Sequence, residues 1–219
     1  MEYSNLLKIL MIVFLPLLIF LLVSKFAVFD DSFYKEKFLQ YNVRQNVPNE
    51  ASLHYKVINF VQAKSNEIPD EFNEREKQHL QDVRNAISAS KIILYALLIF
   101  FIAVLLVSAF TLKFNNNMIT FAGKVMLFGG LLTIMIAASL FLLVTFNFSS
   151  TFESFHRLFF KSGTYTFDPA KELIVNLYPE ELFMDLGIKI SEWVVILSVI
   201  SILTGSFLIF KTKNKKNKY

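Results

Sequence analysis

Apolar residues in this chain gather into four long windows separated by polar stretches, from about Leu6 to Phe29, Ile92 to Leu112, Val125 to Phe148 and Trp193 to Phe210. A bilayer core of roughly 30 Å needs about 20 mostly apolar residues in helical form, and the windows meet that need. In lipid the backbone has to satisfy its own hydrogen bonds, which leaves helices or a closed barrel, and the short alternating segments of a barrel are absent. The expected fold is all-α and integral to the membrane: four transmembrane helices and two extracytoplasmic loops carrying short helical segments. The pattern is read as one membrane domain over residues 1–219. Lys8 ahead of the first window imitates a secretory signal, but the apolar run is too long, and Ser24-Lys25-Phe26-Ala27-Val28 lacks a small-residue cleavage pattern. The window is read as a retained span, kinked at Pro16.

The charges between the windows orient the spans. The tail, residues 211–219, carries five lysines and no acid next to the last span, which the positive-inside rule places in the cytoplasm. It is read as a topology signal in contact with anionic lipid rather than as a nucleic-acid site. Four spans put the N-terminus on the same side, and the connector with Lys113, Asn115, Asn116, Asn117 and Lys124 carries only positive charge. The loops of about 30–90 and 149–192 then lie outside, and both mix acids with bases. The net charge of +4 reflects this topology more than any partner.

The outer loops hold the candidate chemistry. In the first, Val47-Pro48-Asn49 signals a turn, and after Ile68-Pro69 the side chain of Asp70 can cap a helix with Phe72, Leu80, Val83 and Ile87 at helical spacing. That helix leads without a breaker into the second span, so the span is expected to project beyond the bilayer. Glu76, His79 and Asp82 follow one another at intervals of three, which groups them on the helix surface. Two readings stand: a solvated charged face with one incidental histidine, or an imidazole whose tautomer and pKa are set by flanking carboxylates.

The second loop, Thr151 to Pro169, is rich in aromatics and reads as a segment lying in the membrane interface. His156 and Arg157 sit within it; anchoring by Arg157 to lipid phosphate explains the arginine but does not need the histidine. A turn and short helix around Glu172 to Glu181 lead to the last span. His54, the remaining histidine, has no convincing partner nearby in sequence and is treated as ordinary.

Composition narrows the chemistry further. The chain is 54% hydrophobic, with 25 Phe against 6 Gly and 5 Pro, and it contains no Cys. Disulfides, thiolate nucleophiles, cysteine metal sites and lipid attached to the chain's own cysteine are excluded. No nucleotide loop, serine elbow or zinc-protease motif is present, and no cofactor is expected.

The residues Glu76-Lys77-Gln78-His79-Leu80-Gln81-Asp82-Val83 ahead of the second span resemble a family of bacterial membrane proteins, the lipoprotein intramolecular transacylases (Lit-type). The resemblance extends to Phe155-His156-Arg157-Leu158-Phe159-Phe160, then Phe167-Asp168-Pro169, Leu173-Ile174 and Tyr178-Pro179-Glu180. Tyr165 stands where the family pattern has Trp, and Glu172 where it has Asp. The resemblance implies an enzyme of the cell membrane that moves the sn-2 acyl chain of a diacylglyceryl-cysteine lipoprotein onto the α-amino group of that cysteine, giving the lyso form. It also implies that His79 and His156 are the essential pair.

Imidazole suits this reaction, because a free α-amino group has a pKa near 8 and a base near neutrality can take its proton while a second imidazole serves the departing glycerol oxygen. Arg157 or loop amides are candidate oxyanion donors. Glu76 or Asp82 is expected to orient His79, and Asp168 to orient His156. Two other readings compete. Glu76-x-x-His79 and Glu153-x-x-His156 duplicate the pairing used by di-iron carboxylate bundles, which would make a metal-dependent enzyme, and a non-catalytic protein that handles lipoproteins is the third possibility.

Overall fold

The computed structural model describes residues 2–112, 115–160 and 165–216. Among them every regular element is helical: α1 (Glu2–Ala27), α2 (Asp31–Gln40), α3 (Val43–Asn46), α4 (Glu50–Val61), α5 (Glu74–Thr111), α6 (Asn116–Phe146), α7 (Phe148–Phe159), α8 (Leu173–Leu177) and α9 (Glu180–Lys216). Four of them, α1, α5, α6 and α9, are long and apolar enough to cross a membrane, and each carries one of the four apolar windows. α1 continues through Pro16. α5, α6 and α9 overrun their windows, beginning at Glu74, Asn116 and Glu180. Residues 211–216 of the basic tail continue α9. The rest of that tail, Lys113 of the connector, and Lys161, Ser162, Gly163 and Thr164 of the second loop lie outside the described residues.

The start of α5 differs from the expectation at Asp70. Asn73 caps the helix, its Oδ1 accepting from the amides of Arg75 at 2.9 Å and Glu76 at 3.0 Å, while Glu76 Oε2 accepts from the Asn73 amide at 2.7 Å. This reciprocal capping box satisfies several of the amides that a helix start leaves open, which a lone Asp three residues before Asn73 cannot do. Phe72 is therefore buried just before the helix instead of within its stripe.

The chain forms two compact units, one of residues 1–24, 92–142 and 189–219, the other of residues 25–91 and 143–188. In the first, Met11, Phe101, Val104, Phe121 and Val125 form one buried cluster and Ile19, Val23, Ala137 and Val194 another. Leu6, Ile9, Ile99, Ile102, Met135, Leu203 and Phe207 are exposed, as side chains facing lipid would be. Small residues bring α6 and α9 together. A Cβ placed on Gly205 would lie 2.6 Å from the Gly123 carbonyl oxygen and from the Leu127 amide nitrogen, and one on Gly130 would lie 3.0 Å from the Ser198 carbonyl oxygen. The Ser201 hydroxyl donates across this contact to the Met126 carbonyl at 2.9 Å. Apolar burial offers little drive between helices in lipid, so backbone approach and interhelical hydrogen bonds supply the attraction.

The short helical segments expected in the outer loops are, in residues 30–61 of the second unit, three helices whose bounds the sequence reading did not place. α2 buries Phe33, Tyr34 and Phe38. α4 buries Leu53, Val57, Phe60 and Val61 along one face, together with His54. The expected turn lies between α3 and α4, so the period of α4 was present in the sequence just beyond it. Tyr41 Oη donates to Asp185 Oδ2 at 2.8 Å, and Lys37 Nζ pairs with the same oxygen at 2.8 Å, which ties the end of α2 to the first turns of α9.

Gly205→Ala is expected to destabilise the protein by about 1–3 kcal/mol, the range for forcing atoms into filled space, read as a lower unfolding temperature in detergent. Gly187→Ala is the control, since its new Cβ would meet nothing nearer than Val144 Cγ1 at 3.8 Å, and it should leave that temperature unchanged or raise it. A native unfolding temperature for Gly205→Ala would contradict backbone contact between α6 and α9.

Candidate active site

His79 lies one helical turn after the capping box on α5. His156 lies near the end of α7, where Asn147 caps the helix by accepting from the Ser150 amide at 3.2 Å. The apolar stripe of α7 runs through Phe148, Phe152, Phe155 and Phe159. His156 is buried, whereas Phe155, Leu158 and Phe159 are more than half exposed. α7 thus turns one histidine inward and presents an aromatic face outward.

The two imidazoles meet. Their ring centroids are 6.1 Å apart with planes inclined by 24°, and each side chain is only 8% exposed. Aromatic rings surround them. Phe160 and Phe167 lie 5.1 Å and 5.3 Å from His79, and Phe152, Tyr165 and Phe160 lie 4.2 Å, 5.2 Å and 5.3 Å from His156. His156 Nδ1 is 2.8 Å from the Phe152 carbonyl oxygen. A carbonyl can only accept, so the neutral ring carries its proton on Nδ1 and leaves the Nε2 lone pair free to take another. Nδ1 of His79 is buried with no hydrogen-bond partner.

The supporting residues divide. Glu76 does not use its carboxylate on His79: Oε2 accepts from Asn73 and Oε1 accepts from the amide of Ile174 in α8 at 2.7 Å. Asp82 has one buried oxygen, Oδ2, without a partner. Arg157 is exposed and pairs with Glu153 at 3.8 Å. Asp168 builds a surface turn, its Oδ1 accepting from the Ala170 amide at 3.0 Å and its Oδ2 pairing with Lys171 at 3.1 Å. The orienting contact to His156 comes from the Phe152 carbonyl, because the i−4 carbonyl of its own helix is within reach and the Asp168 carboxylate is engaged elsewhere.

Other residues escaped the sequence reading. Arg75 pairs with Glu172 at 3.2 Å, donates to the Thr166 carbonyl and stacks over Phe167 at 5.1 Å, which fixes the strand of chain carrying the Phe167 ring against α5. His54 is buried among Tyr34, Phe38 and Tyr178, with Nδ1 2.9 Å from the Tyr178 hydroxyl. The nearest signal for it was the helical period of Leu53, Val57, Phe60 and Val61. Of the two Glu-x-x-His pairs, neither glutamate joins its histidine in a ligand set, and among the described residues no three His, Asp or Glu side chains are grouped so as to hold a metal ion.

Burial holds the His79 imidazole down to about 4, with the adjacent His156 ring as the second cause. Burial lowers His156 as well, partly offset by its bond to the Phe152 carbonyl. His54 is also held to about 4 by burial, offset in part by the Asp31 carboxylate. Both site imidazoles are therefore neutral at pH 7. In the unfolded chain these rings titrate near 6.5, so between about pH 6.5 and 4 the unfolded chain binds more protons and stability rises with pH. The unfolding temperature should fall as pH is lowered through that window, and the fall should be shallower in His79→Gln; parallel profiles for the two proteins would contradict a neutral, buried His79.

Three solved structures share this fold. The in meso structure of the membrane integral lipoprotein intramolecular transacylase Lit from Bacillus cereus is 21% identical, with a TM-score of 0.81 over 97% of this chain and 98% of that one. Variants of the same protein with a histidine replaced by arginine or by alanine give TM-scores of 0.78 and 0.75 at 21% and 20% identity, over 98% and 97% of this chain and 95% and 96% of theirs. No curated protein sequence matches the chain. The model of the family described as lipoprotein intramolecular transacylase Lit matches residues 9–183, a stretch that includes all four supporting residues and both histidines, and with that extent of agreement the chain belongs to the lipoprotein intramolecular transacylase Lit family of multi-pass membrane acyltransferases.

Proposed function

We propose that this chain moves the sn-2 acyl chain of a diacylglyceryl-cysteine lipoprotein to the α-amino group of the same cysteine, with His79 and His156 as the acid/base pair. The observation that carries the reading is the buried, stacked pair of imidazoles. Two such rings side by side hold at most one proton, since a second adds repulsion to the cost of burial, and acyl transfer from ester to amine needs one proton taken up and given back.

The amine nitrogen attacks the ester carbonyl carbon, a C–N bond forms and the carbonyl electrons move to oxygen. His156 Nε2 is the better-defined acceptor for the amine's proton, since Nδ1 is committed to the Phe152 carbonyl. Collapse of the intermediate breaks the bond from the acyl carbon to the glycerol oxygen, which takes up that same proton, directly or by way of His79. The products are an amide and an alcohol, and the pair returns to neutrality. Phe152, Phe160, Tyr165 and Phe167 hold the rings in surroundings poor in water, which would otherwise compete for the ester. Nucleophile and ester belong to one molecule, so orientation rather than capture supplies much of the rate. Asp82 serves as the orienting group of His79, because a contact between them would satisfy two buried atoms that have no other partner.

In this reading the chain works as a single membrane domain with both termini in the cytoplasm, as the lysines of residues 211–219 favour, and with the histidine pair on the outer face. The exposed Phe155, Leu158 and Phe159 beside Arg157 suit contact with the acyl region and headgroups of membrane lipid.

Mass spectrometry of the N-terminal peptide of a host lipoprotein tests the reading, in cells that lack other N-acylation. The N-acyl, monoacylglyceryl peptide is expected with the intact chain and should fall by at least about a hundredfold, the usual weight of an acid/base group, with His79→Ala or His156→Ala. A well-expressed chain that leaves the diacylglyceryl peptide with a free amine would sink the proposal.

A further inference from the structure

α8 is five residues long and lacks the length to be stable alone, yet polar bonds hold it at both ends. At its start, the Ile174 amide donates to Glu76 Oε1 at 2.7 Å. At its end, the hydroxyl of the C-capping residue Tyr178 meets His54 Nδ1 at 2.9 Å. Ile174 and Leu177 are buried between these anchors.

Each anchor leads to one histidine of the pair. Glu76 precedes His79 by a single turn of α5. From Tyr178 a run of rings leads to His156: Tyr178 to Phe183 at 6.4 Å, Phe183 to Phe152 at 5.3 Å and Phe152 to His156 at 4.2 Å. Phe152 also supplies the carbonyl that fixes the His156 tautomer. His54 lies outside the proton transfers described above, and its ring neighbours are Tyr34, Phe38 and Tyr178. A buried imidazole there is a poor filler compared with Leu or Phe, since its Nε2 is left without a partner. What it contributes that an apolar side chain cannot is the bond to the Tyr178 hydroxyl.

We infer that His54 is a positioning residue: with Tyr178 it forms the far anchor of α8, a strut that sets His156 against His79. The inference rests on the histidine pair being the reactive site. A displacement of about 1 Å at a reacting group can lower a rate up to a hundredfold, so a strut anchored at two points is a sensitive part of the device.

The test uses the purified full-length chain and a synthetic diacylglyceryl lipopeptide. His54→Phe and Tyr178→Phe are expected to lower kcat about tenfold with KM unchanged. The double variant should be no worse than either single, because the same bond is lost once. His54→Asn, whose side-chain amide places a polar atom where Nδ1 stood, should recover most of the rate. Nitrogen-15 NMR of the histidine rings gives a second readout that needs no turnover: the His156 ring signals should shift in His54→Phe and Tyr178→Phe as its setting against His79 changes.

Wild-type kcat in both single variants would overturn the inference. So would His54→Asn as impaired as His54→Phe, or an unchanged His156 ring spectrum in the single variants. A wild-type chain that forms no product would overturn the transacylase reading instead, and the ring spectra would still decide whether the strut positions His156.

Discussion

A carboxylate that is 1% exposed is tolerated only when hydrogen bonds meet its charge, and Glu76 meets it with backbone amides from two helix starts. One oxygen accepts from Asn73 and closes the first turn of α5; the other accepts from Ile174 and holds α8. Both bonds are charge-assisted, and both lie where the helix dipole favours an anion. The glutamate that seemed placed to tune a histidine instead builds the frame in which that histidine sits. Its influence on His79 runs through position rather than through charge.

The histidine pair combines strong burial with sparse hydrogen bonding. His156 has one ring nitrogen committed to a carbonyl, and His79 has Nδ1 with no partner at all. Most buried polar atoms in proteins are satisfied, and this unpartnered one lies beside a second imidazole. The aromatic rings contribute twice. They keep both imidazoles neutral by desolvation, and they are hydrophobic enough to exclude competing water. α7 also divides its duties, with His156 on one side and Phe155, Leu158 and Phe159 exposed on another.

Different forces hold the unit built from the spanning segments. There, glycines at 123, 129, 130 and 205 remove side-chain volume where helices touch, and the Ser201 hydroxyl donates from one helix to the Met126 carbonyl of another at 2.9 Å. In the other unit, charge pairs and capping bonds add to the packing of buried apolar and aromatic side chains. Lys56 pairs with Glu71 at 2.6 Å, and Arg84 reaches the Ser65 carbonyl and Asn66 while lying over the Phe60 ring.

What the sequence determined by itself was whatever depends on runs and local spacing. Four apolar windows required four helices because lipid offers the backbone no other partner, and short motifs placed His79 and His156 in separate polar loops. The helical period of Leu53, Val57, Phe60 and Val61 was equally legible. The tertiary structure decided which side chains meet. Tyr178 lies 124 residues from His54, and Ile174 lies 98 from Glu76; no period links such pairs, since only closure of the chain brings them within hydrogen-bond reach. Closure also settled one choice that spacing leaves open, by bringing the Ile174 amide to Glu76, whereas Asp168 and Arg157 found partners within four residues along the chain. A side chain's neighbours along one helix fix its face, but its bond goes to whichever donor or acceptor the fold places closest, and that is a property of three dimensions.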